Sequence, residues 1–170
     1  MKELSVRRQL DDSFQAEVDS MDETETFSLE ISRFCFDEES MQDILAPFER
    51  KRKCASLTVI SSRQLRNFFD AFDQCCDGSA TDIAAITLVN PTQDGMESLA
   101  TQLCRETIRT SKLNINTSIT PAIATSLVAI AEGTTLEELD LSHCYWDRRA
   151  VNCLIQAFTT ATNLKILDLS

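Results

Sequence analysis

Thr135–Trp146 reads TLEELDLSHCYW, and its core phrase returns as NLKILDLS at Asn163–Ser170. Leu136, Leu139 and Leu141 map onto Leu164, Leu167 and Leu169, a shift of 28 residues each time. Leu139 and Leu141 are separated by a polar residue, the pattern of a short strand with one buried face. Earlier copies of this pair are Leu29/Ile31, Leu57/Val59, Ile86/Leu88 and Leu113/Ile115, so the first members are spaced 28, 29, 27, 26 and 28 residues apart along the chain. Ile83-Ile86-Leu88 also carries the longer L-x-x-L-x-L form.

Between the pairs lies a second pattern. Met41, Ile44, Leu45 and Phe48 are spaced i, i+3, i+4, i+7, as are Leu65, Phe68, Phe69 and Phe72. Met96, Leu99, Ala100 and Leu103 follow the same rule. So do Ala124, Leu127, Val128 and Ala131, and again Val151, Leu154, Ile155 and Phe158. This spacing places each set on one face of a helix. Thr120 followed by Pro121 predicts an N-cap with proline in the first turn, and Gly133 a left-handed residue at the helix end. The unit is strand, loop, helix, loop, and each helix carries the chain back so that successive strands run parallel. One such unit cannot bury its faces alone; stacked copies share a core.

The phrase TLEELDLSHC, the helix after it and NLKILDLS resemble the leucine-rich repeat family, in its ribonuclease-inhibitor-like subclass. The resemblance extends more loosely over Phe27–Ser170. It implies an α/β solenoid, a horseshoe arc of about five strand-helix repeats plus a terminal strand. The parallel sheet would line the concave face and the helices the convex face. Partners of this family usually dock on the concave side or its rim. The family often places Asn or Cys three residues after the last strand leucine. Cys144 fits that slot, whereas Phe34, Ser62, Pro91 and Ser118 occupy it earlier and predict less regular turns.

Pro47 falls inside the first helical pattern and predicts a kink or a shorter helix. Only six residues separate Val59 from Leu65, but fourteen separate Phe72 from Ile86, so DQCCDGSATD is expected to form an enlarged loop. Residues 1–26 differ in composition, with eight acidic and three basic residues. They are set apart from a repeat domain at 27–170. Leu10, Phe14, Val18 and Met21 suit an amphipathic capping helix, the alternative being a disordered acidic tail. The terminal phrase has a strand but no following helix. It predicts an open end, hence a piece of a longer repeat protein or an edge hidden by self-association.

The composition narrows the function. The 170 residues carry a net charge of −11, which argues against nucleic acid and anionic membrane surfaces as partners. There is no apolar run of membrane-spanning length and no signal-like start, and the seven cysteines fit reduced thiols. The expected location is cytoplasmic, with the basic cluster ERKRKC (Glu49–Cys54) allowing a nuclear one or simply ending a helix. Asn116-Thr117-Ser118 is a formal glycosylation sequon without meaning inside the cell. Three scattered glycines cannot build a phosphate loop. The one histidine, His143, is placed at a strand-to-helix turn, and Cys144 and Cys153 lack metal-ligand spacing. No cofactor, metal or catalytic residue is assigned.

What remains is surface. The outward residues of the sheet fall in three rows. Glu30, Thr58, Thr87, Asn114, Asp140 and Asp168 form the middle row. Ser28, Ser56, Ala85, Lys112, Glu138 and Ile166 precede it, and Ser32, Ile60, Val89, Asn116, Ser142 and Ser170 follow. Candidate partner-binding residues are Lys112, Asn114, Glu138, Asp140, Ser142 and Asp168, with Tyr145 and Trp146 on the rim. The expectation is a non-catalytic protein-protein interaction scaffold whose partner has a basic surface. The alternatives are a regulator of an enzyme, such as a GTPase-activating protein, or a substrate-recognition adaptor.

Overall fold

The computed structural model describes residues 1–22, 24–51, 53–75, 79–161 and 163–170. In chain order the elements are β1 (Lys2–Arg7), α1 (Asp12–Asp19), β2 (Phe27–Ser32), α2 (Glu38–Lys51), β3 (Lys53–Ile60), α3 (Leu65–Asp70), α4 (Phe72–Cys75) and β4 (Thr81–Val89). There follow α5 (Gln93–Cys104), β5 (Ile108–Arg109), β6 (Lys112–Asn116), β7 (Ser118–Ile119), α6 (Pro121–Gly133), β8 (Glu138–Asp140), β9 (Tyr145–Trp146), α7 (Arg148–Thr160) and β10 (Ile166–Asp168).

The fold is mixed α/β. The main sheet runs β1-β2-β3-β4-β6-β8-β10 in sequence order, with β5 beside the start of β4, and all these pairings are parallel. Register confirms the unit length. Leu4, Leu29, Leu57, Ile86, Leu113, Leu139 and Leu167 lie side by side, and all but the last are buried. Alternate strand residues are half-buried or exposed, so the sheet turns one face to the core and leaves the other open. The helices pack on their sequence neighbours, α3 on α5, α5 on α6 and α6 on α7.

The core is one continuous cluster from Leu4 to Leu154. Its N-terminal half is aromatic. Phe68 stacks on Phe36 at 4.7 Å between centroids and meets Phe48, Phe69 and Phe72 edge-on. Burying such a ring stabilises the fold by about 2–3 kcal/mol. Gly95 on α5 is required by close approach. A Cβ there would stand 2.7 Å from Leu65 Cβ on α3.

Several expectations change. A strand at Lys2–Arg7 was not anticipated, yet β1 pairs with β2 over six residues. The helix drawn through Phe14 and Val18 is present as α1, with both residues buried and Asp11 accepting the Phe14 N–H as its cap. α2 runs its full 14 residues through Pro47, so the proline does not shorten it. The expected second helix is divided at Ala71 into α3 and α4. The enlarged loop is partly replaced by α4, while Cys76, Asp77 and Gly78 lie outside the described residues. Of the basic cluster, Lys51 ends α2 and Lys53 opens β3, with Arg52 outside the described residues. Thr120 caps α6 as expected, but Gly133 is its last helical residue and not a left-handed one. Its lack of a side chain instead makes room for Cys104 Sγ, 2.8 Å from where a Cβ would be. Ile155, assigned to a buried face, is exposed.

One turn recurs at the strand ends. Arg8, Arg33, Ser61 and Asn90 each follow the last residue of a strand with φ of 62°, 55°, 46° and 50°. Their N–H groups donate to the carbonyls of Ser32, Ile60, Val89 and Asn116 at 2.8–3.0 Å. The left-handed residue thus carries the ladder one step beyond the strand. For residues other than glycine this conformation costs about 1–2 kcal/mol.

Candidate functional site

The open face of the sheet is built as the sequence rows describe. Glu30, Thr58, Thr87, Asn114, Asp140 and Asp168 lie in register, and β1 adds Ser5 to that row. Glu3 and Arg7 join the flanking rows. The only sequence signal for these three is the alternation around Leu4 and Val6, too short to mark a strand by itself.

Much of the acidic half is already engaged. Lys112 Nζ pairs with Glu138 Oε1, its register neighbour. That hydrogen bond, more than the charges of Glu138 and Asp140, holds the lysine's pKa above its ordinary value. Asp140 Oδ1 accepts the Ser142 hydroxyl at 2.6 Å and its N–H at 3.0 Å. Those bonds lower the carboxyl pKa, with smaller help from Lys112 and His143. Asp168 accepts the Ser170 N–H in the same way, at 3.0 Å. The acid in the phrase DLS therefore closes its own turn before it meets any partner. Asn114 Nδ2 donates to Thr87 Oγ1 at 3.2 Å, while its Oδ1 is shielded from solvent and takes no hydrogen bond from a described residue.

Six of the eight candidate residues thus cluster at one end of this face. Tyr145 and Trp146 do not join them. They form β9, which pairs with β7 in a separate two-stranded ladder, Ser118 beside Tyr145 and Ile119 beside Trp146. Tyr145 is 77% exposed, whereas Trp146 packs against the core. Cys144 in the turn slot donates its thiol to the Ile115 carbonyl at 3.0 Å, tying one unit to the one before it. Ser62 substitutes in an earlier turn, accepting the Phe34 N–H at 3.1 Å.

His143 is exposed in the turn after β8. The neighbouring hydroxyl of Ser142 points to Asp140, so no nucleophile-base pair forms there. Burial pushes the Cys54 thiol up to about 12 and raises those of Cys144 and Cys104. These three remain protonated at neutral pH and are not activated nucleophiles. Among the described residues no three His, Cys, Asp or Glu side chains converge on a metal position, and no helix is long and apolar enough to cross a membrane. Comparison with models of known protein families, with curated proteins and with solved structures found no match.

Proposed function

We propose that the chain is a leucine-rich repeat protein of the ribonuclease-inhibitor-like subclass, a solenoid arc that serves as a non-catalytic scaffold for protein interaction. The observation that carries this reading is the sequential stacking of seven parallel strands, with Leu4, Leu29, Leu57, Ile86, Leu113, Leu139 and Leu167 side by side, which leaves one preformed and mostly polar face open. A rigid face of this kind positions several modest contacts at once, at little ordering cost. Glu30, Asp140 and Asp168 favour a basic partner surface, with Thr58, Thr87 and Asn114 as the contact floor between them. A location inside the cell fits the same reading.

The test is affinity capture with the triple variant Thr58→Arg, Thr87→Arg and Asn114→Arg. These side chains line the face and leave every leucine of the core in place. Partners captured by the wild type and lost with the variant support the proposal. Recovery of the same proteins by both would place binding elsewhere and overturn it.

A further inference from the structure

Three arginines stand together at the carboxyl ends of β1, β2 and β3. Arg8, Arg33 and Arg63 line one open cavity of about 470 Å³ with Cys35 and Ser61. All five are exposed. None of the three arginines forms an ion pair with a described residue, although the chain carries 27 acidic side chains against 16 basic ones. Two carboxylates close to them in sequence are engaged elsewhere. Asp11 caps α1 through the Phe14 N–H, and Asp37 accepts the Ser40 N–H and hydroxyl.

The backbone gives a second reason to see a site. Arg8 and Arg33 occupy the left-handed turn position that Asn90 fills in the fourth strand's turn. Asparagine tolerates that conformation and arginine does not benefit from it. The turn geometry therefore does not account for the choice of arginine, whereas three unneutralised guanidinium groups on one cavity do.

We propose that Arg8, Arg33 and Arg63 form a docking site for a phosphorylated serine or threonine on an extended segment of a partner protein. The guanidinium fork binds phosphate in a bidentate manner, and a phosphate monoester brings about two charges and three acceptor oxygens. Ser61 and Cys35 add a hydroxyl and a thiol at the cavity wall. The cavity of about 470 Å³ has room for such a group together with the residues beside it on an extended segment. A nucleic acid or an anionic bilayer would extend over the surrounding surface of a molecule with net charge −11, which repels it. The site does not depend on the open sheet face.

The test is titration of the full chain, followed through the arginine Nε–H resonances. The probe is a Gly/Ser-spaced peptide carrying one phosphoserine. Its unphosphorylated form, inorganic phosphate, a single-stranded oligonucleotide and phosphatidylserine vesicles are the comparisons. The expected result is saturable shifts at Arg8, Arg33 and Arg63 but not at Arg50 or Arg66. Affinity should be at least tenfold above that for the unphosphorylated peptide and should weaken with salt. Arg33→Asn and Arg63→Gln should each lower it tenfold or more, with a melting temperature equal to or above that of the wild type for Arg33→Asn. Arg66→Gln, on α3, should leave it unchanged, and the site shares no residue with the sheet face, so failure here and failure of the scaffold proposal are distinguishable. Absence of saturable shifts, equal shifts at all arginines, or binding by inorganic phosphate as tight as by the phosphopeptide would overturn the proposal. So would tighter binding to the oligonucleotide or the vesicles.

Discussion

Single side chains decide how each turn is satisfied. Ser62 is buried, accepts the Phe34 N–H and donates to the Ile60 carbonyl, so one hydroxyl serves the turn after β2 and the end of β3. Ser62→Ala strands the Phe34 N–H away from water and should cost about 1–3 kcal/mol, read as a lower urea midpoint with an unchanged slope. Sequence alone saw only that serine was not the expected asparagine or cysteine. It could not show that a hydroxyl reaches the same amide. Cys54 offers a pH test. Burial holds its pKa near 12, above the ordinary value of 9.0. Because the folded pKa is the higher one, the stabilising neutral thiol persists below pH 9 and its contribution is lost as pH rises from 9 towards 12. Iodoacetamide at pH 8 should label the exposed Cys35, Cys153 and, more slowly because its pKa is raised, Cys104, and spare Cys54 until the protein unfolds, as counted by mass spectrometry.

Elements were legible where an apolar period ran long enough. The anchors of α2, α5 and the α3–α4 pair are buried as their spacing predicts. β1 was not legible, because LSV sits among charged residues and offers a single alternation 25 residues before Leu29. Nor was the break at Ala71, which no proline or glycine announces. Gly133 was misread as a helix cap because local sequence does not reveal a neighbour as close as Cys104. Gly95 shows the same kind of long-range constraint. Alanine in a helix interior normally gains about 1 kcal/mol over glycine. Here Gly95→Ala places a methyl against Leu65 and should lower stability by a net ~1–2 kcal/mol, seen as a reduced melting temperature. Phe68→Ala removes the ring that four other phenylalanines touch and should cost about 3–5 kcal/mol.

At the scale of the whole molecule, the pairing of β2, β3, β4, β6, β8 and β10 was legible at the Leu-x-Leu positions, because that pair marks the same place in every unit, whereas β1 and the register shift after Phe27 were not. The charge layout was not. Three arginines spread over 56 positions of the chain meet only when three strands are aligned. The same alignment grades stability along the sheet. β3 and β4 pair over seven residues and bury Leu57, Val59, Ile86 and Leu88. β10 pairs with β8 over three residues, and Ile166 and Leu169 are exposed. Amide hydrogen exchange should be slowest at Leu57, Val59, Ile86 and Leu88 and fastest, within the sheet, at Ile166–Asp168. Uniform protection across the strands would contradict a molecule held together mainly by contacts between neighbouring units.

The placement of aromatic groups has an optical consequence. The chain has one tryptophan, Trp146, and it lies half-buried on the small β7–β9 ladder. The phenylalanine cluster that anchors the other end of the core contributes almost nothing to emission under tryptophan excitation. Intrinsic fluorescence therefore watches one end of the molecule, while far-ultraviolet dichroism averages over all of it. Denaturant curves recorded both ways will coincide if the two ends melt together and separate if they do not.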